Sequence, residues 1–225
     1  MDLVNDMKAR VETYWSHLKA NEPYNKAIME GRATQSMVTH FLVNIHYLIQ
    51  HTPIHLDLAI READKRKLTK LKAFFQNKKR EEVGHDKWAE NDLAIINQKH
   101  ILQSQGNSID PSMKQLIAHI ETIITTDPYL YLSYIFFAEY LCVICGPETT
   151  EGLEKKCGFP PKSMTVVENH AELDKDHVHE WEGVMKEIVD ANIYRPLFFA
   201  NLEKTIVYHQ QFYTSCAESK AHAAA

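Results

Sequence analysis

Apolar residues recur along most of this chain with the period of an α-helix, and no run of strict alternation interrupts them. Leu3, Met7, Val11, Trp15 and Leu18 line one face of a first helix that closes near Asn21-Glu22-Pro23. A second begins after Gly31 with Thr34 as its cap and carries Met37, Phe41, Ile45 and Leu48. Pro53 should kink or end it before Ile54 to Glu62 resumes the pattern. Lys67 to Ile96 reads as one long third helix, and Gln103 to Pro111 as the clearest loop. Met113 to Thr125, Pro128 to Cys145, Pro161 to Val189 and Ile193 to Cys216 supply four more, punctuated by Gly146-Pro147 and Gly158-Phe159-Pro160-Pro161. With no internal repeat and no linker, this is one all-α domain over 1–220, followed by a frayed or expression-derived tail at 221–225.

Composition supports that picture. A chain of 225 residues can bury a substantial core, and 7 glycines favour long helices over turn-rich sheets. The net charge of −5, without a basic stripe interleaved with aromatics, argues against nucleic acid as a partner. Tyr129 to Gly146 is the one stretch apolar enough to suggest a membrane. It is short for a span and carries Glu139 at its centre, so a buried core helix and no membrane partner are expected. Cys142, Cys145, Cys157 and Cys216 stand in no zinc-like spacing and read as reduced thiols, the first two as small core residues. Met1-Asp2-Leu3-Val4-Asn5-Asp6 has neither a basic start nor an apolar core, and a cytoplasmic protein is expected.

The candidate chemistry lies in three segments. At 100° per residue, His170, Asp174 and His177 fall on one narrow stripe of a helix, while Glu172, Lys175, Asp176 and His179 fall off it. The segment is polar nearly all round, as a solvated face would be; yet two imidazoles around a carboxylate on one line suit a metal site between facing helices. Glu81 and Glu82 stand four and three residues before His85, a spacing that arises often by chance and leaves open which glutamate matters. Glu139 is a lone acid among Tyr134 to Ile144; burial there requires it to be neutral, ion-paired or on a metal. Together these supply three histidines and at least three carboxylates. With no cysteine among them, a closed structural zinc site is disfavoured, and iron or manganese suits the set. His46, His51 and His55 straddle Pro53 and read as pocket-lining or core residues, and His17 as a surface residue.

In this order the motifs resemble the haem-oxygenase-like di-iron oxidase and oxygenase superfamily. The resemblance runs from Glu30-Gly31-Arg32-Ala33-Thr34 through Glu81-Glu82-Val83-Gly84-His85 and Glu139 to His170-x3-Asp174-x2-His177, and is nearest to the CADD-like group. It implies a seven-helix bundle holding two Fe ions (or Fe and Mn), with His85, Glu139, His170, Asp174 and His177 as ligands and Glu81 or Glu82 as the sixth. It also implies O2 as co-substrate, an electron donor, and a small amino-acid or fatty-acid-like substrate undergoing N-oxygenation, desaturation or oxidative C–C cleavage. The sequence singles out no partner for a substrate carboxylate among Arg61, Lys78 and Arg195. A homodimer is common among such bundles. The CADD-like group has a longer insertion between its glutamate and histidine, and its sacrificial tyrosine position falls here on Asn25, beside Tyr24, so self-consuming chemistry is not supported. The superfamily also contains metal-free thiaminase-like and quinone-cofactor-forming enzymes, and haem oxygenases. Those readings would call on Cys142 as nucleophile or His17 as axial ligand, and a non-catalytic interaction module is a further alternative.

Overall fold

A computed structural model describes residues 2–98, 101–102 and 109–219. Most of the loop expected at Gln103 to Pro111, and the tail at 221–225, lie outside the described residues. The elements are α1 (Leu3–Asn21), α2 (Pro23–Met29), α3 (Gln35–Lys65), α4 (Thr69–Glu82), α5 (Asp86–Ile95), α6 (Pro111–Thr126), α7 (Tyr131–Glu151), α8 (Thr165–Ile188) and α9 (Ala191–Glu218). A single 3₁₀ turn, Pro128–Leu130, leads into α7, and a π turn, Gly152–Lys156, leaves it. All are helical, and no strand occurs among the described residues. The starts are chemically marked. Asp2, Thr34, Asp110 and Asp190 accept hydrogen bonds from the first-turn amides of α1, α3, α6 and α9. Glu22 does the same for α2, with Pro23 in its first turn.

Three expectations about helix ends need correction. Pro53 does not end the second predicted helix: α3 runs unbroken for 31 residues through it. The lost hydrogen bond and ring clash cost about 3 kcal/mol. Burial of both halves, Val38 to Ile49 and His55 to Ala63, against α4, α5, α6 and α9 offsets that cost. The third predicted helix is two, because the chain breaks at Val83-Gly84-His85, where Gly84 takes a φ of +96°. Gly146-Pro147 does not close α7, which continues to Glu151. Gly146 is there for contact: a Cβ on it would lie 2.6 Å from the Cβ of Ala171. The missing side chain lets α8 press onto α7 next to His170.

α7 is the central element, packed against α8 along its length and touched by α1, α6 and α9; α3 lies against α4, α5 and α6 on the other side. The segment Pro128–Lys156 is long and apolar enough to cross a membrane by composition, but 67% of its most apolar window is buried inside the protein. It is the core helix expected for Tyr129 to Gly146. The start of α8 is set by a side chain from another helix. Asp92 of α5, fully buried, accepts from the backbone amides of Thr165 (2.9 Å) and Val166 (2.8 Å) and from the Thr165 hydroxyl (2.6 Å). This joint fixes α5, which follows His85, against α8, which carries His170.

Candidate metal centre

The C-terminal turn of α4, the break after it, the middle of α7 and the first half of α8 converge in the bundle interior. There the structure brings together all seven residues singled out in the sequence. The donor atoms of Glu82, His85 and His170 lie within 4.8 Å of one another, and so do those of Glu82, Glu139 and His177. Asp174 joins through His177, its Oδ1 2.9 Å from Nδ1. Glu81 Oε2 is 3.5 Å from Nε2 of His177.

Across the break at Gly84 the first group keeps the proximity of residues three apart: His85 Nδ1 lies 3.2 Å from Glu82 Oε2, with the imidazole stacked on Trp88 at 4.0 Å between centroids. His170 packs edge-on to both rings, at 5.1 Å from each. Its Nδ1 is 2.6 Å from the Val166 carbonyl, which can only accept, so Nδ1 carries the proton. Nε2 is left facing Glu82, at 4.0 Å from Oε2. His177 is oriented in the same way by Asp174, a carboxylate that sets an imidazole's tautomer.

The two glutamates separate here. Glu82 belongs to both groups, with a side chain only 12% exposed. Glu81 is more open, at 34%, and is held by Asn77, whose Nδ2 donates to it at 2.7 Å. Glu82 is thus the shared carboxylate, and Glu81 flanks it.

Lys78, which the sequence does not mark as part of the centre, is a member of it. Its side chain is 2% exposed, and Nζ lies 3.0 Å from Glu139 Oε1, 3.6 Å from Glu81 Oε2 and 3.7 Å from Glu180 Oε2. The buried ion pair open to Glu139 on sequence grounds is what the structure shows. A signal existed: Leu71, Phe74, Phe75 and Lys78 occupy the buried stripe of α4, and its spacing runs on to Glu82. Arg61 is exposed and Arg195 binds Asp6 at 2.5 Å, and neither lines the cavity described below.

Burial dominates the electrostatics. It pushes Glu139 up to about 8, with Lys78 offsetting only part of the effect and Asp174 adding to it. Asp174 is likewise raised by burial, against the His177 hydrogen bond and the charge of His170. For Glu82 burial acts upward too, but the His85 hydrogen bond and the three imidazoles outweigh it and hold the carboxyl below its usual range. His177 is pulled down by burial and raised on balance by Asp174.

Four buried atoms of the cluster, Glu139 Oε2, Glu81 Oε2, His85 Nδ1 and Lys78 Nζ, make no well-formed hydrogen bond among the described residues. Buried polar groups of this kind are completed by water or by a bound ion. Two imidazoles and a carboxylate at Glu82, His85 and His170 fit a divalent transition metal. The Glu139 half has suitable donors, but an ammonium already stands among them. A third grouping, His46, Asp86 and Glu90, lies apart; Lys87 reaches Glu90 at 2.7 Å and Asp86 at 3.6 Å, so its carboxylates have a cation.

An apolar cavity of about 160 Å³ adjoins the cluster, and Lys78, Glu82, Glu139, His170 and Asp174 form its polar wall. The rest is mainly aliphatic and aromatic, from Phe41 and Leu56 of α3 to Phe212 and Tyr213 of α9, with Thr52, Thr149 and His209 among them. Cys142 also faces it, with burial pushing its thiol well above the usual range. His46 and His55 are buried core residues, His51 is half-buried, and none of the three lines the cavity. His17 is exposed, as expected, and away from the cavity. Tyr24 and Asn25 are buried in α2, outside it.

No protein-family model matches the sequence, and no curated protein matches it. Similarity appears in three dimensions. A domain of unknown function with a haem oxygenase-like fold, from Shewanella denitrificans OS217, superposes with a TM-score of 0.87 at 21% identity, over 97% of this chain and 93% of that one. A TenA homolog from Pseudomonas syringae pv. tomato DC3000 superposes with a TM-score of 0.70 at 10% identity, over 95% and 92%. At these identities the likeness establishes the fold. The chain is an all-α protein with the haem oxygenase-like fold.

Proposed function

We propose that this chain is a non-haem iron oxidoreductase that uses dioxygen on a small substrate with an apolar body. The observation that carries the reading is the grouping of Glu82, His85 and His170 beside a mainly apolar cavity that Glu82 and His170 line. Two histidines and one carboxylate with open positions are the ligand set of non-haem Fe(II) oxygenases. Bound there, iron would supply dioxygen activation and a strong one-electron oxidant. The chain supplies the rest. Val166 and Trp88 hold His170 and His85 in position, Glu82 brings negative charge, and the apolar walls seat the substrate and exclude water.

The lining favours a fatty-acid-like or aromatic body over a polar amino acid. Lys78, the lysine or arginine that lines it among the described residues, is already paired with Glu139. Desaturation or oxidative C–C cleavage of an alkyl chain therefore fits better than N-oxygenation. Desaturation balances when the substrate gives up two hydrogens and an external donor gives two electrons with two protons; dioxygen leaves as two waters. The metal-free thiaminase-like alternative needs an activated thiol, and Cys142 is pushed in the opposite direction.

The test is anaerobic reconstitution with Fe(II), desalting, elemental analysis, and O2 uptake with medium-chain fatty acids. At least one iron per chain and substrate-dependent O2 consumption are expected. Negligible iron, together with an activity that survives chelators and disappears on Cys142→Ser, would overturn the reading.

A further inference from the structure

We propose that Lys78 is the built-in cation of the Glu139 half, so that the chain holds one transition-metal ion, at Glu82, His85 and His170, rather than a pair. This rests on the metal reading above.

Three carboxylates surround the ammonium: Glu139 at 3.0 Å, Glu81 at 3.6 Å and Glu180 at 3.7 Å. Glu81 and Glu180 are in turn bridged by the Asn77 amide, at 2.7 and 3.2 Å. Lys78 cannot easily retreat. A surface lysine extends its head to water past apolar neighbours, but this one sits on the buried stripe of α4 behind Phe74 and Phe75, with a side chain 2% exposed. An ion bound among Glu82, Glu139 and His177 would share the Glu139 carboxylate with that ammonium. In a water-poor interior the two cations repel strongly. The first half has no such conflict, since no Lys or Arg is paired with Glu82, His85 or His170 among the contacts of the described residues. One ion on two histidines and a carboxylate is also sufficient for dioxygen chemistry, so the loss of a second metal need not abolish function.

The experiment is anaerobic Mn(II) titration of the full chain, counted by elemental analysis after desalting and read by EPR. The wild type should retain about one Mn(II) per chain, with the six-line spectrum of an isolated ion. Lys78→Met should retain about two, with a broadened, exchange-coupled spectrum. If Lys78→Met does not fold, as judged by circular dichroism, Lys78→Gln keeps a hydrogen-bond donor for Glu139 and carries the same expectation. Two coupled ions in the wild type would overturn the proposal, and so would a neutral variant that folds and still binds one. A wild type that binds none would remove the metal reading itself; a count of zero distinguishes that failure from a count of two.

Discussion

Lys78 and Glu139 depend on each other. A charge without a partner inside a protein costs several kcal/mol, and removing one member of a buried pair strands the other. Glu139→Ala leaves Lys78 with only the longer contacts to Glu81 and Glu180 and should destabilise the metal-free protein by about 1–3 kcal/mol, and Lys78→Met combined with Glu139→Met should recover most of that loss. Urea unfolding of the single and double variants measures both, and an unrecovered double variant would refute the pairing. The metal ligands divide by half-site. His170→Ala should weaken Fe(II) or Mn(II) binding by more than about 100-fold, whereas His177→Ala, in the half that Lys78 fills, should cost roughly tenfold; chelator competition separates them. The His170–Asp174–His177 stripe could be read from the sequence because helical geometry alone fixes which side chains share a face. The role of Lys78 could not. A lysine at a buried stripe position can extend its head to solvent, and only the packing of α7 and α8 against α4 shows that this one does not.

At the scale of elements, the site is assembled by joints rather than by the helices themselves. The carboxylate of Asp92 caps α8 from α5, and Gly146 lets α7 and α8 meet. Asp92→Ala should leave two amides and a hydroxyl of α8 unsatisfied and cost about 2–4 kcal/mol. Gly146→Ala should force its new methyl against Ala171 and cost about 1–3 kcal/mol through overpacking. Because Ala171 adjoins His170, metal affinity should fall with it. Thermal unfolding and metal titration of both variants test this, and unchanged affinity in Gly146→Ala would show that the helix contact does not position His170. The periodicity marks the helices, but Pro53 and Gly146-Pro147 read as punctuation and Gly84 as helix interior, each the reverse of what the structure shows. Pro53 and Pro147 sit inside helices because tertiary burial outweighs a local hydrogen bond. Gly84 takes a left-handed φ between Val83 and His85, and the break turns the chain into α5, whose Asp92 meets α8. Those are demands of neighbouring elements, and no local pattern records them.

Across the whole molecule, the same burial that builds the centre leaves titratable groups in the core, and their balance sets how stability responds to acid. Desolvation holds His55 and His209 down at about 3 and His119 at about 4. His209 stays neutral between aromatic rings, its Nδ1 2.8 Å from the Tyr14 hydroxyl. The unfolded chain takes up protons on these histidines below about 6.5 and the folded chain does not, so each removes stability as pH falls from there toward its folded value. Burial shifts Glu139 the other way. The stability it contributes when protonated is fully present below about 4.5 and is lost as pH rises toward about 8. The two effects oppose each other from about 6.5 to 4.5; below that the Glu139 contribution is constant, and the depressed carboxyl of Glu82 joins the histidines in losing stabilisation, so the metal-free protein should lose stability more steeply just below pH 4.5 than just above it. His209→Gln isolates one term. The variant should flatten the acid limb by about 1.4 kcal/mol per pH unit between pH 6.5 and 3, as read by urea unfolding at a series of pH values. An unchanged slope would place the acid sensitivity elsewhere, in the carboxylates that line the centre.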